Sequence, residues 1–166
     1  EYKVWLAQSL ALEGLLEIPE STIKRFIVDH PEEYRLRFAL AQMYMGAQRR
    51  ADSNNVLREV ITLDVDGADA QAARGSIAVL AWTLDEDRAT SEAMVDEILK
   101  IEENNPIALQ LRATFRLLDN NAVGAISDLR AVIKSDPSSV TAVLALGQAH
   151  TANDSIDLAL DAYRNV

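Results

Sequence analysis

Two sets of markers recur along this chain at the same intervals. Phe26, Val60, Ile98, Val132 and Val166, each apolar and β-branched or aromatic and late in a helical run, are separated by 34, 38, 34 and 34 residues. Gly14, Gln48, Glu86, Asn120 and Asp154, which interrupt pairs of runs, repeat the same series. A period of this length means one supersecondary unit used again and again. Both sets share the longer second interval, which places a four-residue insertion near 68–71.

Between the markers the apolar spacing is helical. Leu36, Leu40, Met43 and Tyr44 recur at steps of three and four, and Val56, Leu57, Val60 and Ile61 form a second stripe. Each unit is therefore two short amphipathic helices joined by a tight turn. Helices are predicted near 2–13, 19–29, 32–46, 50–63, 68–84, 88–102, 106–118, 122–135, 138–152 and 155–166. Asp136-Pro137 ends one helix, because the residue before a proline is biased away from the α region. Ser138 or Ser139 then caps the next. Asp29-His30-Pro31 repeats the device. Ala41, Ala113 and Gly147 stand at equivalent places, where a small side chain lets two helix backbones approach.

The pattern resembles the tetratricopeptide repeat family, a 34-residue helix–turn–helix repeat. The residues that carry the likeness are Leu40-Ala41 with Tyr44, Leu146-Gly147, Ala125 and Ala159 early in second helices, and Pro31 and Pro137 at repeat ends. The resemblance implies an all-α fold, an α-α superhelix or solenoid of about five stacked helix–turn–helix repeats. They form a single repeat domain over 1–166, with repeats at 1–33, 34–67, 72–105, 106–139 and 140–166. Some positions depart from the family pattern. Val65 and Glu103 replace the proline, Pro19 replaces a small residue and shortens its helix, and Val79 replaces a small residue in the third unit. That unit is expected to be splayed or to have a longer first helix. One unit alone buries too little to offset the ordering of its backbone, so neighbours must stack. The last helix carries Leu158, Ala159, Ala162, Tyr163 and Val166 with no polar helix after it. The chain is therefore expected to be a fragment of a longer one or to self-associate through its exposed terminal repeats.

Composition narrows function further. The chain has 166 residues and a net charge of −10, no cysteine and 5% aromatic residues. Eleven acids and three bases fall in 64–104, so that segment holds most of the excess charge. It reads as a solvated face, with a binding surface as the alternative. Clustered Lys and Arg, which phosphate binding requires, are absent, so no nucleic acid partner is expected. No apolar run approaches the length of a membrane span, so no direct membrane insertion is expected. The absence of cysteine excludes disulfides and thiol chemistry. The compartment is unassigned, with the bacterial periplasm or envelope favoured over the cytoplasm.

Catalytic constellations do not emerge. His30 and His150 lack a second ligand at metal spacing. The six glycines are scattered, and no serine sits in a G-x-S-x-G context. Asp64, Asp66 and Asp69 around Gly67 suggest a calcium loop, but Gly67 comes too early for the EF-hand order. Asn153-Asp154-Ser155 matches a glycosylation sequon of low specificity. No enzyme activity, no cofactor and no metal is expected.

The resemblance implies a concave groove lined by the first helix of every unit, and helical phase selects the side chains that face it. They are Gln8, Arg35, Phe38, Gln42, Met45, Ser76, Leu80, Thr83, Gln110, Thr114, Leu117, Leu144, Gln148 and Thr151. Gln8, Gln42 and Gln148 are in phase and offer donors and acceptors to a peptide backbone, or serve only solubility. Some family members bind acidic chaperone tails through Lys, Arg and Asn; the matching places here hold Val4, Gln8, Ala39, Ser76 and Leu111. The groove instead suits an apolar strand or an amphipathic helix. The leading expectation is a protein–protein interaction scaffold that binds a protein or peptide. Stretches such as 125–133 and 50–63 look like bacterial repeat proteins of envelope assembly or export. The alternatives are an oligomerisation module and an accessory domain of a larger enzyme.

Overall fold

In the computed structural model, residues 19–84 and 87–164 are described. They form α1 (Glu20–Asp29), α2 (Tyr34–Gly46), α3 (Arg50–Leu63), α4 (Ala68–Thr83), α5 (Arg88–Ile101), α6 (Pro106–Leu118), α7 (Ala122–Ser135), α8 (Val140–Ala152) and α9 (Ile156–Arg164), with no strand among the described residues. The helix expected near 2–13, with Gln8 and Gly14, lies outside the described residues, as do Glu86 and Val166. Elsewhere each predicted helix is present to within about two residues at each end.

Short turns explain the period. Three residues join the helices within a repeat, at 47–49, 119–121 and 153–155, and four join successive repeats, at 30–33, 64–67, 102–105 and 136–139. The three-residue turns share one backbone device. Gln48, Asn120 and Asp154 adopt φ of 60°, 59° and 55°. The following N–H reaches back across the helix end: Arg49 to the Tyr44 carbonyl at 2.7 Å, Asn121 to Arg116 at 2.7 Å and Ser155 to His150 at 2.9 Å. This is the left-handed helix stop that satisfies orphan carbonyls. The next helix starts with a side-chain cap in several repeats: Asn105 accepts from Ala108 N–H, Asn121 from Gly124 N–H and Ser139 from Ala142 N–H. Ser139 is thus the cap of α8, while Ser138 bonds Asp136.

The chain divides into two compact units at Ile77/Ala78. In the first, α2 packs on both α1 and α3. Ile23, Leu36, Leu40, Tyr44, Leu57 and Val60 are buried there. Glu20 ties α1 to α2: it accepts from the Tyr44 hydroxyl at 2.8 Å and pairs with Lys24 at 2.7 Å and Arg49 at 2.6 Å. The Arg49 guanidinium also lies 4.2 Å from the Tyr44 ring centroid. These bonds, Lys24 first, hold the Glu20 carboxyl at about 2. Pro19 shortens α1 to 10 residues, against 14 in α3. The insertion lengthens α4 to 16 residues, against 13 in α2. It is an extra first turn, so of the two expectations for the third repeat the structure shows the longer first helix. Val79 is 38% exposed, whereas Ala41 and Ala113 at the equivalent places are buried.

In the second unit α6 packs on α5 and α7, α7 on α8, and α8 on α9. Its core includes two clusters among the described residues: Ala113, Ala125, Ile126, Leu129 and Ala149, and Leu109, Val132 and Ala142. Small residues set the helix spacing. A side chain at Gly147 would strike the ring of Tyr163, whose Cζ would lie 2.6 Å from an added Cβ. Buried Ser91, at the place of Ala125 and Ala159, donates to the Ala78 carbonyl at 2.8 Å.

Candidate functional site

The predicted groove residues divide by helix. Arg35, Phe38, Gln42 and Met45 lie on α2, Ser76, Leu80 and Thr83 on α4, Gln110, Thr114 and Leu117 on α6, and Leu144, Gln148 and Thr151 on α8. Four of them, Gln110, Thr114, Leu117 and Gln148, surround one open depression of about 280 Å³ between the first helices of adjacent repeats, α6 and α8. Ala113, Leu118, Leu129 and Ala145 complete its lining. Leu144 and Thr151 flank Gln148 along α8 without lining the depression.

Physical causes for this geometry are plain in the sequence. Ala113 and Ala145 leave no side-chain volume between the two helices, so the depression reaches back to Leu129 of α7, itself fully buried. Phase alone did not select these residues, because helical phase shows which side chains face outward and not where volume is missing. The signal that finds them is an alanine on each of two adjacent first helices.

The hydroxyls of the predicted groove are largely spent. Ser76 donates to Ala72, Thr83 to Val79, Thr114 to Gln110 and Thr151 to Gly147, each onto its own helix at 2.7–3.1 Å. Gln110 and Gln148 have no side-chain partner among the described residues. They remain the donors available to a guest at the depression. No charged side chain lines it.

The charged cleft on the same unit is a different kind of place. It holds about 240 Å³ and is lined by Glu92, Val95, Asp96, Arg112, Phe115, Arg116 and Asp119. Its arginines are engaged. Arg112 makes two bonds to Asp128, at 3.0 and 2.8 Å, and Arg116 reaches Asp128 at 2.6 Å and the Gly124 carbonyl at 2.9 Å. Arg88 bridges Asp119 at 2.6 Å and Glu92 at 2.7 Å. The partner carboxylates raise both Arg88 and Arg112, and the Arg88 guanidinium lowers Asp119. The network joins α5, α6 and α7.

The two histidines differ in setting. His30 is the residue that ends α1, and His150 is buried on α8 with Nδ1 unpaired. Burial lowers the His150 pKa, with the Arg130 charge adding to it. Asp64, Asp66 and Gly67 form the turn between α3 and α4, and no cluster of three metal-binding side chains occurs among the described residues.

No protein-family model and no curated protein matches the chain. Solved structures do. A crystal structure of MamA superposes with a TM-score of 0.71 at 14% identity, over 96% of this chain and 85% of that one. A second MamA structure gives 0.67 at 15% identity, over 88% and 83%. The thermophilic TPR protein TTC0263 of Thermus thermophilus gives 0.58 at 10% identity, over 87% and 78%. At these identities the likeness concerns fold. Together with the alternating turns and the paired helices, it establishes that the chain has the tetratricopeptide-repeat type of fold.

Proposed function

We propose that this chain is a non-catalytic scaffold that binds a peptide or partner helix along the exposed side of its first helices. The observation that carries this reading is the neutral, apolar-floored depression between α6 and α8, rimmed by two glutamine amides without partners. A helical repeat offers no moving lid and no activated nucleophile there, but it offers surface. Bacterial envelope assembly or export is the setting we infer, from the character of the second-helix stretches alone. The test compares wild-type protein with a Leu144→Glu/Gln148→Glu variant as bait in a lysate pulldown. Both positions are exposed, so folding is preserved. Loss of the same prey from the variant is expected; equal recovery by both would place binding elsewhere.

One observation favours a second reading, self-association. Ala122 and Ile126 on α7 are covered, yet their equivalents Ile156 and Leu160 on α9 are 54% and 47% exposed. Among the described residues the face that α8 covers on α7 is thus exposed on α9, where a second copy of this chain, or a further segment of a longer one, can pack. Light scattering across a concentration series should then show a dimer that Leu160→Glu abolishes. A concentration-independent monomer removes this reading.

A further inference from the structure

Building on the groove reading, we propose that the α6–α8 depression anchors one uncharged aliphatic side chain of an extended peptide, with Gln110 and Gln148 bonding the backbone beside it. The size of the hole and its chemistry both select this guest. About 280 Å³ takes an aliphatic side chain together with its flanking backbone, and not the face of a helix. Its back wall is the hydrophobic core itself: Ala113 and Leu129 belong to the buried cluster, and Leu117 and Ala145 pack against it. An aliphatic guest would therefore extend the core by one residue, with burial of apolar surface as the driving force.

Charge complementarity excludes the other guests. With no charged side chain in the lining, a carboxylate or an ammonium group would lose its water and gain no counter-charge. The Thr114 hydroxyl proton is already given to the Gln110 carbonyl at 3.1 Å. The two amides on the rim each supply a donor and an acceptor, the complement of a peptide unit. A helical guest satisfies its own backbone groups internally and would leave these amides nothing but side chains to meet. An extended guest sends alternate side chains to opposite faces, so one enters while the neighbouring peptide groups lie at the rim.

The experiment is an amide-shift NMR titration of the ¹⁵N-labelled chain with three blocked pentapeptides, glycine at every position except a central Leu, Asp or Lys. The Leu peptide should shift Gln110, Thr114, Ala145 and Gln148, with the other two at least about tenfold weaker. Ala145→Leu fills the hole and should abolish the shifts. Gln148→Ala, at an exposed position, should weaken binding about fivefold. Should Ala145→Leu fail to fold, judged by circular dichroism, the Leu-against-Asp comparison and Gln148→Ala decide. Equal or stronger binding of the Asp or Lys peptide at these amides overturns the anchor while the groove reading stands. So does undiminished binding by both variants. If no pentapeptide moves these amides the anchor is also overturned, and the scaffold reading is judged separately by the Leu144→Glu/Gln148→Glu pulldown.

Discussion

At the scale of single residues, the fourth repeat has exchanged part of its core for charge. Arg112 stands where Leu40, Ala78 and Leu146 stand in their repeats, and Asp128 stands where Val56, Met94 and Ala162 stand. An apolar pair has become an ion pair, joined by Arg116 at the place of Tyr44, Trp82 and His150. Asp128 is 3% exposed, and its carboxylate is satisfied by two guanidinium groups about a third open to solvent. Removing Asp128 alone strands both arginines, whereas replacing the Arg112–Asp128 pair by what neighbouring repeats use leaves only Arg116, which is about a third open to solvent and keeps the Gly124 carbonyl. Asp128→Met alone should therefore cost about 2 kcal/mol, while Arg112→Leu/Asp128→Met should lie within about 1 kcal/mol of wild type. Urea denaturation of the two single variants and the double gives the coupling directly. An additive double mutant would show that the triad is not a unit. Asp128 was passed over in the sequence, where its signal is an acid within an apolar stripe. Its partner gives no such signal, because pairing depends on which way two long arginine side chains reach.

At the scale of elements, the turn carries the repeat. Gln48 holds φ 60°, a conformation that costs a side chain with a Cβ about 1 kcal/mol. Asparagine tolerates the same region better, as Asn120 does at 59°. Gln48→Gly should consequently raise stability by about 0.5 kcal/mol, the relief of strain being partly offset by the greater freedom of glycine in the unfolded chain. Asn120→Gly should change it less. Midpoints of urea denaturation check both, and a destabilised Gln48→Gly would mean that the side chain contributes a contact beyond the turn. Helix ends and turn positions were legible because they rest on local chemistry: proline exclusion, capping side chains and a period that recurs. The longer α4 was one of two expectations, and only the backbone decided between them. Val79 was marked as out of pattern, but its exposure depends on packing that no local rule states. The α6–α8 depression was half legible, since Gln110, Thr114, Leu117 and Gln148 follow from phase while the hole follows from missing volume at Ala113 and Ala145.

At the scale of the whole molecule, both units carry acid-sensitive groups, and Glu20 in the first and His150 in the second respond in different pH ranges. In the second unit, burial lowers the pKa of His150 below its ordinary 6.5. The unfolded chain then takes up a proton that the folded chain refuses, so stability is complete above about 6.5 and falls as pH drops below it. In the first unit, Lys24, Tyr44 and Arg49 hold Glu20 at about 2 against an ordinary 4.5. Its contribution is complete above 4.5 and is lost as pH falls from there toward 2. Repeat arrays unfold by neighbouring pieces, so these losses need not spread over the chain. Hydrogen exchange at about pH 7.5 should already show α9, with Ala159 as its buried residue, less protected than α7, which buries six. Lowering the pH to about 5.5, with rates corrected for intrinsic exchange, should reduce protection in α8 and α9 while α2 and α3 keep theirs. His150→Phe places an aromatic ring where Tyr44 and Trp82 stand and removes the titrating group, so it should abolish that change. Below the ordinary carboxylate range the loss should reach α1 and α2 through Glu20 and the α5–α6 contact through Asp119, which Arg88 lowers, and Glu20→Gln should flatten the α1–α2 limb alone. If acid lowers protection in both units together at every pH, the units are coupled too tightly for either group to act locally.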